Sequence, residues 1–428
     1  MLKGIDYLRE KLRRKKYRVR TRYRYYEQKN RARDWGISTP PDLKYWMSTL
    51  GWCAKGVDEL ADRLQFKNFK NDPLSMTAVY DQNNKKILTD SAILSALIGS
   101  CSFVYITTEA GKPKLKIIDA AHATGEIDPS TMMLKEGYAV LDYDKQDNPI
   151  MEAYLIPGMT YIYENGELVQ SIPNISPHPL LVPIIYKPDA VRPFGHSRIT
   201  RACMSISDSA TRSVKRSEVA SEFGSINQKW AIGLDPDNDA LESWNAAMSS
   251  MLRIDKNEDG SNDVKVGQFD QLNFEPQNDQ IRMFAGLFSG ETGLTLDDLG
   301  FPSDNPSSAE AIKSTHESLR LAARKAQSDF ETGFKNAGFV AACIRDGQAY
   351  DLAELANVKT LWAPIFEPDY SALASVGDAL YKLNEMVPGF VTPEMITEMT
   401  GLESSQDQGE VVDPAALDKV INDGEVIS

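Results

Sequence analysis

The sequence of 428 residues has no apolar run near the ~18 residues that a membrane-spanning helix needs. Its first residues, MLKGIDYLREKLRRKK, are basic but have no apolar core, so we expect no signal peptide. Only four cysteines occur, and no two form a C-x-x-C pair. This scarcity excludes a disulfide-stapled scaffold and favours a reduced cytoplasmic protein with structural thiols. We expect no membrane partner.

Motifs for catalysis and metal binding are missing as well. There is no Walker A loop, no G-x-G-x-x-G and no G-x-S-x-G, which argues against nucleotide hydrolysis and against a serine hydrolase. The four histidines, His122, His178, His196 and His316, lie far apart and none has a second histidine or a cysteine four residues away. We therefore predict no catalytic residues, no metal and no cofactor.

One segment resembles a calcium site without completing it. Asp255, Asn257, Asp259 and Gly260 match the first half of an EF-hand loop, but Val266 takes the place of its last ligand, a glutamate. The flanking segments MLRI and VKVGQF are typical of strands rather than helices. We interpret the segment as the turn of a β-hairpin, with calcium binding as the alternative.

Charge is distributed unevenly over a chain whose net charge is −14. Residues 1–34 hold 14 Lys and Arg against 4 Asp and Glu, which leaves 33 bases and 57 acids in the rest. The basic segment has helical spacing and is interleaved with tyrosines. It predicts either contact with nucleic acid or an acidic neighbour, or docking of the tyrosines on the same chain.

A long amphipathic helix is predicted over Ser307–Arg345. Ser307 and Glu310 have capping-box spacing, and an apolar stripe follows with the helical period. The stripe consists of Ile312, Leu319, Ala323, Ala326, Phe330, Phe334, Ala337, Ala341 and Ile344. Phe339 and Ala342 replace the polar face near the end, which predicts deeper burial there. We interpret Gly333 and Gly338 as bend points.

The remaining pattern favours an α+β fold. Helices are predicted at 42–64, from Asp90 to Ser100, at His196–Phe223, at Asn278–Phe288, near Ala372–Met386 and after Thr392. Strands are predicted at Cys101–Thr107, Lys114–Ile118, Tyr138–Tyr143, Met151–Ile156, Tyr161–Tyr163, Leu180–Tyr186 and in KWAIGL, MLRID, VKVGQF and LWAPIF. In the helix at 196–223 we place Arg198, Arg201, Arg212, Lys215 and Arg216 on the polar side. The acidic composition of residues 403–428 predicts a weakly packed tail.

Several short motifs resemble those of the portal proteins of tailed double-stranded DNA bacteriophages. Tyr25-Tyr26-Glu27 resembles a YYxG element in which Gln28 replaces the glycine. Pro193-Phe194-Gly195-His196-Ser197 resembles the PFGRS-like start of a first stem helix, with His196 for the usual arginine. Gly56-Val57-Asp58 and Ser307-Ser308-Ala309-Glu310, which opens the long helix, also fit. Together these motifs span most of the chain.

The resemblance implies a portal-type subunit divided into wing, stem, clip, tunnel loop and crown. The wing would comprise 1–196 and 309–365, the stem helices 197–225 and 275–292, the clip 226–274, the tunnel loop 293–308, and the crown and tail 366–428. Tunnel-loop residues facing the channel would be Leu296, Asp297, Asp298, Leu299, Phe301 and Asp304. Candidate stem contacts to phosphate are Arg212, Lys215 and Arg216, and candidate clip residues for partners are Asp255, Asn257, Asp259 and Asp263.

The function that the resemblance implies is structural. Such proteins form rings, usually of twelve subunits, at one vertex of the capsid of the virion, and they are assembled in the cytoplasm of the host bacterium. DNA is packaged and ejected through the ring, which docks terminase and a head–tail adaptor and contacts major capsid and scaffolding proteins. The acidic balance suits a conduit because a sliding duplex must not be held. Two alternatives are another virion ring component, such as an adaptor, and a divergent enzyme.

Overall fold

Runs of helices and runs of strands follow one another along the chain, which agrees with the predicted α+β class. The structure is a computed structural model and describes residues 2–34, 45–224, 229–234, 251–255, 265–268, 270, 272–302, 316–366, 370–392 and 396. The chain divides into two units, Met1–Leu361 and Trp362–Ser428.

The described residues contain eight α-helices. They are α1 Ile5–Tyr26, α2 Trp52–Ala61, α3 Met76–Asp81, α4 Lys85–Gly99, α5 Arg201–Gly224, α6 Glu275–Thr292, α7 Glu317–Asp346 and α8 Tyr370–Met386. Short 3-10 turns lie at Asp297–Leu299 and Leu352–Leu355. No helix in the described ranges is long and apolar enough to cross a membrane.

The strands fall into four sheets. In chain order they are β1 Phe66–Lys70, β2 Cys101–Glu109, β3 Lys112–Asp119, β4 Ala123–Ile127, β5 Leu134–Tyr143, β6 Pro149–Ile156, β7 Met159–Glu164, β8 Glu167–Pro173, β9 Leu181–Ile185, β10 Lys229–Leu234, β11 Met251–Asp255, β12 Lys265–Gln268 and β13 Lys359–Trp362. The largest sheet is an antiparallel meander in the order β4-β5-β6-β7-β8. The other sheets have the strand orders β3-β2-β9, β11-β10-β12 and β1-β13.

The long helix α7 forms the centre of the core, as its pattern predicts. Its apolar stripe from Leu319 to Ala341 is fully buried, and Ile344 at the end is half-buried. Phe339 and Ala342 on the opposite side are also buried, which confirms the deeper burial expected near the end of the helix. Ile312 and the predicted capping pair Ser307 and Glu310 lie outside the described residues.

Aromatic rings fix α7 against α3 and β1. The Tyr80 hydroxyl donates to the Phe334 carbonyl at 2.8 Å, and burial raises the pKa of this phenol. Phe66 packs against both rings, with centroid distances of 5.8 Å to Tyr80 and 5.3 Å to Phe334. Edge-to-face and tilted contacts of this kind add to the energy of burial.

The two glycines of α7 permit close packing, and their interpretation as bend points stays a prediction. The helix continues through both of them. A Cβ on Gly333 would lie 2.8 Å from Ile184 Cδ1 and 3.0 Å from the Pro183 carbonyl oxygen. A Cβ on Gly338 would lie 2.8 Å from the Met76 sulfur. Glycine is required because β9 and α3 approach the helix backbone directly.

Two predicted helix starts are wrong. The helix predicted from His196 begins at Arg201, because the backbone N–H groups of His196 and Arg198 donate to the carbonyls of Tyr186 and Leu97 instead. The helix predicted at 42–64 begins only at Trp52. Residues 45–51 ahead of it are not helical, and 42–44 lie outside the described residues.

The second unit contains the predicted helix α8. The interval predicted near Ala372–Met386 is confirmed within two residues by Tyr370–Met386. Leu380 is buried there, whereas Tyr381 and Met386 are exposed. The short helix predicted after Thr392 and the acidic tail at 403–428 fall largely or wholly outside the described residues.

Candidate functional site

Helices α5 and α6 form a two-helix arm that follows the β module. Two side-chain hydrogen bonds show that the helices run antiparallel. The Ser213 hydroxyl donates to the Gln280 side chain at 3.0 Å, and the Thr200 hydroxyl donates to the Glu291 carboxylate at 2.8 Å. Ala210, Ala285 and Phe288 are fully buried. The sequence interval Asn278–Phe288 lies inside α6, and the interval 275–292 assigned to a stem helix coincides with it.

A buried arginine joins the base of the arm to the rest of the chain. Arg198 lies just before α5 and is 8% exposed. Its Nε donates to the Gly56 carbonyl at 3.2 Å, and its Nη2 donates to the Thr292 carbonyl. Thr292 ends α6, where carbonyls lack helical partners and a cation is favourable. Placing Arg198 on the polar side of a helix is therefore wrong: it is an interior side chain that joins α2 to α6.

A three-stranded sheet lies between the two arm helices in sequence. All three predicted strands are present, but the hairpin interpretation is wrong. β10 stands between β11 and β12, pairing with β11 in parallel and with β12 antiparallel. A parallel pair cannot be joined by a tight hairpin turn. Of the predicted partner-binding residues, Asn257, Asp259 and Asp263 lie outside the described residues, and of Asp255 the backbone alone is described.

The first residues of the loop after α6 pack against their own chain. Gly293 ends the helix with φ +73°, and Leu294 and Leu299 are buried. The Asp298 carboxylate accepts from the Thr295 N–H at 2.8 Å, and the Thr295 hydroxyl accepts from the Asp298 N–H at 3.1 Å. These reciprocal bonds hold the 3-10 turn in place.

The predicted channel residues therefore divide by exposure. Asp297 is exposed, Leu296 and Phe301 are half-buried, and Leu299 is buried. His316 Nδ1 lies 3.9 Å from the Asp298 carboxylate, so that acid already has neighbours within the chain. Asp304 lies outside the described residues. Nothing in this geometry tests a DNA contact, and the channel role stays a prediction.

The predicted stem bases line a groove of about 440 Å³ along α5. Lys215 is tied to Asp34 at 2.8 Å, and Arg212 donates to the Ser209 hydroxyl at 2.9 Å. Arg216 lines the same groove, and the side chains of Tyr45 and Trp46 stand across from it. The structure thus brings the three bases together. Their contact with phosphate stays a prediction.

The basic helix α1 docks on acids of its own chain. Its bases, with Lys3 just before it, pair with three carboxylates of the five-stranded sheet and its β5–β6 turn: Lys3 and Lys11 with Glu126, Arg9 with Glu152, and Lys16 and Arg20 with Asp147. The Tyr25 hydroxyl donates to Asp208 at 2.7 Å and the Tyr26 hydroxyl donates to Asp58 at 2.9 Å. Burial and these carboxylates raise the pKa of both phenols. Docking of the tyrosines on the same chain is therefore confirmed for Tyr25 and Tyr26, whereas Tyr17 is 71% exposed.

Sequence reasoning misplaced Arg198 and missed the three acids that hold α1. A signal was present for two of these acids, because Glu126 and Glu152 occur in strands beside apolar residues that face a core. Glu152 is only 4% exposed, a burial that carboxylates rarely have unless they are paired. A highly basic helix elsewhere in the chain was the natural partner.

Groups that could serve redox or metal chemistry are widely separated in the described residues. All four cysteines are buried and free, and burial raises the pKa of Cys53 and Cys101 to about 12. Within the described ranges no three His, Cys, Asp or Glu side chains converge on a point that could hold a metal ion. Such thiols are poor nucleophiles because they stay protonated.

Comparison with known proteins points to one kind of protein. The chain is 24% identical to the portal protein of Mycobacterium phage L5 over 384 residues, which covers 83% of this chain and 77% of that protein. It is 23% identical to the portal protein of Mycobacterium phage D29 over 390 residues, with 85% and 79% covered. No family model matches the chain. The resemblance to phage portal proteins inferred from the sequence is thus confirmed.

Solved structures with a similar chain path come from gene transfer agent (GTA) particles. A chain of the virion of a native GTA particle has a TM-score of 0.42 at 11% identity, covering 90% of this chain and 100% of that one. A chain of the neck of a native GTA particle, computed with C12 symmetry, has a TM-score of 0.43 at 12% identity, covering 83% and 90%.

Proposed function

We propose that this chain is the subunit of a portal ring, a closed homo-oligomer of twelve copies at one vertex of a phage capsid. The observation that carries the proposal is the similarity to two mycobacteriophage portal proteins over 83–85% of the chain. The two-helix arm supports it, because its two helices can offer different surfaces to the two neighbours that a subunit has in a heterologous ring.

The parts of the chain take the roles that the sequence suggested. Segments 1–196 and 309–365 form the wing, α5 and α6 the stem, the sheet β10–β12 the clip, 293–308 the tunnel loop, and 366–428 the crown and tail. The insertion of a small sheet between two antiparallel helices supports this division. The clip docks terminase and later the head–tail adaptor, and the wing contacts major capsid and scaffolding proteins.

The ring acts as a passage for double-stranded DNA and not as an enzyme. Each chain carries a net charge of −14, so a ring multiplies a negative field that keeps phosphates from being held at its wall. Loop 293–308 contacts the moving duplex through exposed Asp297 and neighbouring apolar side chains without gripping it. Assembly takes place in the host cytoplasm, and the ring remains in the virion.

The mass of the purified protein tests the proposal. We expect light scattering to give a species many times heavier than the 47.6 kDa chain, and electron microscopy to show a ring with a central hole. The ring alone should hydrolyse no ATP and should support packaging only with a separate ATP-driven terminase. A species that stays monomeric or dimeric at every salt and protein concentration would overturn the proposal.

A further inference from the structure

Helix α6 carries a stripe of exposed side chains, of which only Glu291 bonds its own chain among the contacts described, through Thr200. Glu275, Asp279, Met283, Leu287 and Glu291 follow one another at intervals of four, and all five are exposed. Residues four apart form one ridge of a helix. Met283 and Leu287 are 52% and 54% exposed, which is unusual for two adjacent apolar side chains on a soluble helix. The ridge has an apolar centre with acids at both ends.

Helix α5 carries a stripe of complementary chemistry. Arg201, Ser205, Ser209, Arg212 and Arg216 fall within a narrow arc of this helix, away from buried Cys203 and Ala210. The stripe has bases at both ends and small hydroxyl side chains in the middle. Arg201 and Ser205 are exposed, and the other three are half-exposed.

The two stripes match level by level along the arm. Ser213 lies opposite Gln280 and Thr200 lies opposite Glu291, which fixes the register of α5 on α6. By this register Arg216 and Arg212 are level with Glu275 and Asp279. Ser209 and Ser205 are level with Met283 and Leu287.

Copies in a ring stand at one height, so like levels of neighbouring arms meet. We propose that the α6 stripe of one copy packs against the α5 stripe of the next, with Met283 and Leu287 seated over the serines and acids facing arginines at both ends. The proposal rests on the ring proposed above and names the surfaces that close it. Charge complementarity selects a second copy as the occupant, because the acids of one stripe are level with the arginines of the other. Arg212 and Arg216 then serve the subunit contact in place of the phosphate contact suggested by sequence.

Cysteine cross-linking tests the contact directly. The variant with both Ser205→Cys and Leu287→Cys should form disulfides between copies and give a ladder of multimers on non-reducing gels. Each single variant should give no ladder, since one new thiol per chain cannot link a series. The four native cysteines are buried and stay out of the reaction. A Ser205→Cys, Leu168→Cys pair is the matched control, because Leu168 is 53% exposed but lies on β8.

Charge reversal gives an independent readout. Asp279→Arg and Arg212→Asp should each lower the assembled fraction about tenfold at low salt, and the double variant should recover most of it. Rings that form without the ladder and without this recovery would overturn the interface and leave the ring intact. Failure of the unaltered chain to form rings would overturn the proposed function, and this contact with it.

Discussion

Arg198 shows how one side chain fixes the direction of a whole element. Its guanidinium spans two carbonyls, one inside α2 and one at the end of α6, and it is almost completely buried. A buried charge is tolerated when its donors are satisfied, and it becomes costly once a partner is lost. The arm therefore leaves the core at an angle that depends on this residue.

Replacing Arg198 should loosen the arm at its base. We expect Arg198→Met to lower the free energy of unfolding by about 2–4 kcal/mol, because two carbonyls lose charged donors. Arg198→Lys should recover little of this loss, since a single ammonium lacks the planar fork that reaches both carbonyls. Denaturant titration measures both variants. Arg201→Lys, three residues on and exposed, is the control and should change the value by less than about 0.5 kcal/mol.

Glu126 makes the docking of α1 dependent on pH. Burial alone would raise the pKa of this carboxyl, but the ammonium groups of Lys11 and Lys3 outweigh it and lower the pKa. The stabilisation is fully present above the unfolded pKa of about 4.3 and is lost as pH falls through the lower folded pKa.

The Glu126→Gln variant checks this dependence. At pH 7 we expect it to be less stable than the natural chain by about 1–2 kcal/mol, and the difference should shrink towards zero as the medium is acidified through the folded pKa. Unfolding curves collected from pH 7 to pH 3 give the comparison. Glu109→Gln, an exposed acid at the end of β2, should show no such trend. A difference that stays constant with pH would contradict the proposed role of the ammonium groups.

At the scale of elements, α7 reverses the usual effect of a glycine replacement. Alanine is the better helix former by about 1 kcal/mol, so an exposed Gly→Ala change normally stabilises a helix. Gly333 instead faces β9, where a Cβ would come within 3.0 Å of a carbonyl oxygen. Overpacking of this kind costs about 1–3 kcal/mol.

We therefore expect Gly333→Ala to destabilise the chain by about 1–2 kcal/mol. Gly338→Ala should have a smaller effect, because its Cβ meets the flexible side chain of Met76. The matched control is Gly377→Ala in α8, where a Cβ meets nothing within 4 Å and the change should stabilise slightly. Thermal unfolding measures all three. Stabilisation by Gly333→Ala would show that the contact relaxes without cost.

Elements with strong periodicity were predictable from the sequence, and elements defined by distant partners were not. The stripe of α7 and the hairpin of β2 and β3 follow local rules, and both are present. β8 was missed because all of its residues are exposed, which gives no alternation to detect. The hairpin assigned at Asp255 failed because β10 inserts between β11 and β12, a long-range choice that turn residues do not encode.

At the scale of the whole molecule, the basic first segment is partly neutralised by acids of the remainder of the chain. The basic α1 neutralises sheet acids, so its surplus charge is smaller than the sequence count implies. Sequence reasoning counted the charges correctly but could not pair them, since pairing requires the fold. The candidate site was likewise predictable only in part. The bounds of the arm helices were largely predicted from the sequence, whereas the hydrogen-bond and ion-pair partners of Lys215 and Asp298 were not.

The negative charge of the chain leads us to expect that a positive charge at Asp297 would slow DNA passage through a ring. Asp297 is the exposed acid of the 3-10 turn, and Asp297→Lys leaves in place the Asp298 carboxylate that accepts from Thr295. A lysine here, repeated around the ring, would bind phosphates and retard a sliding duplex. We expect normal ring assembly but packaging slowed several-fold at low salt, with recovery above ~0.3 M salt, where exposed charges are screened. Glu167→Lys on β8 adds the same charge far along the chain and should leave the packaging rate unchanged. Equal rates for both variants at every ionic strength would show that Asp297 does not face the channel.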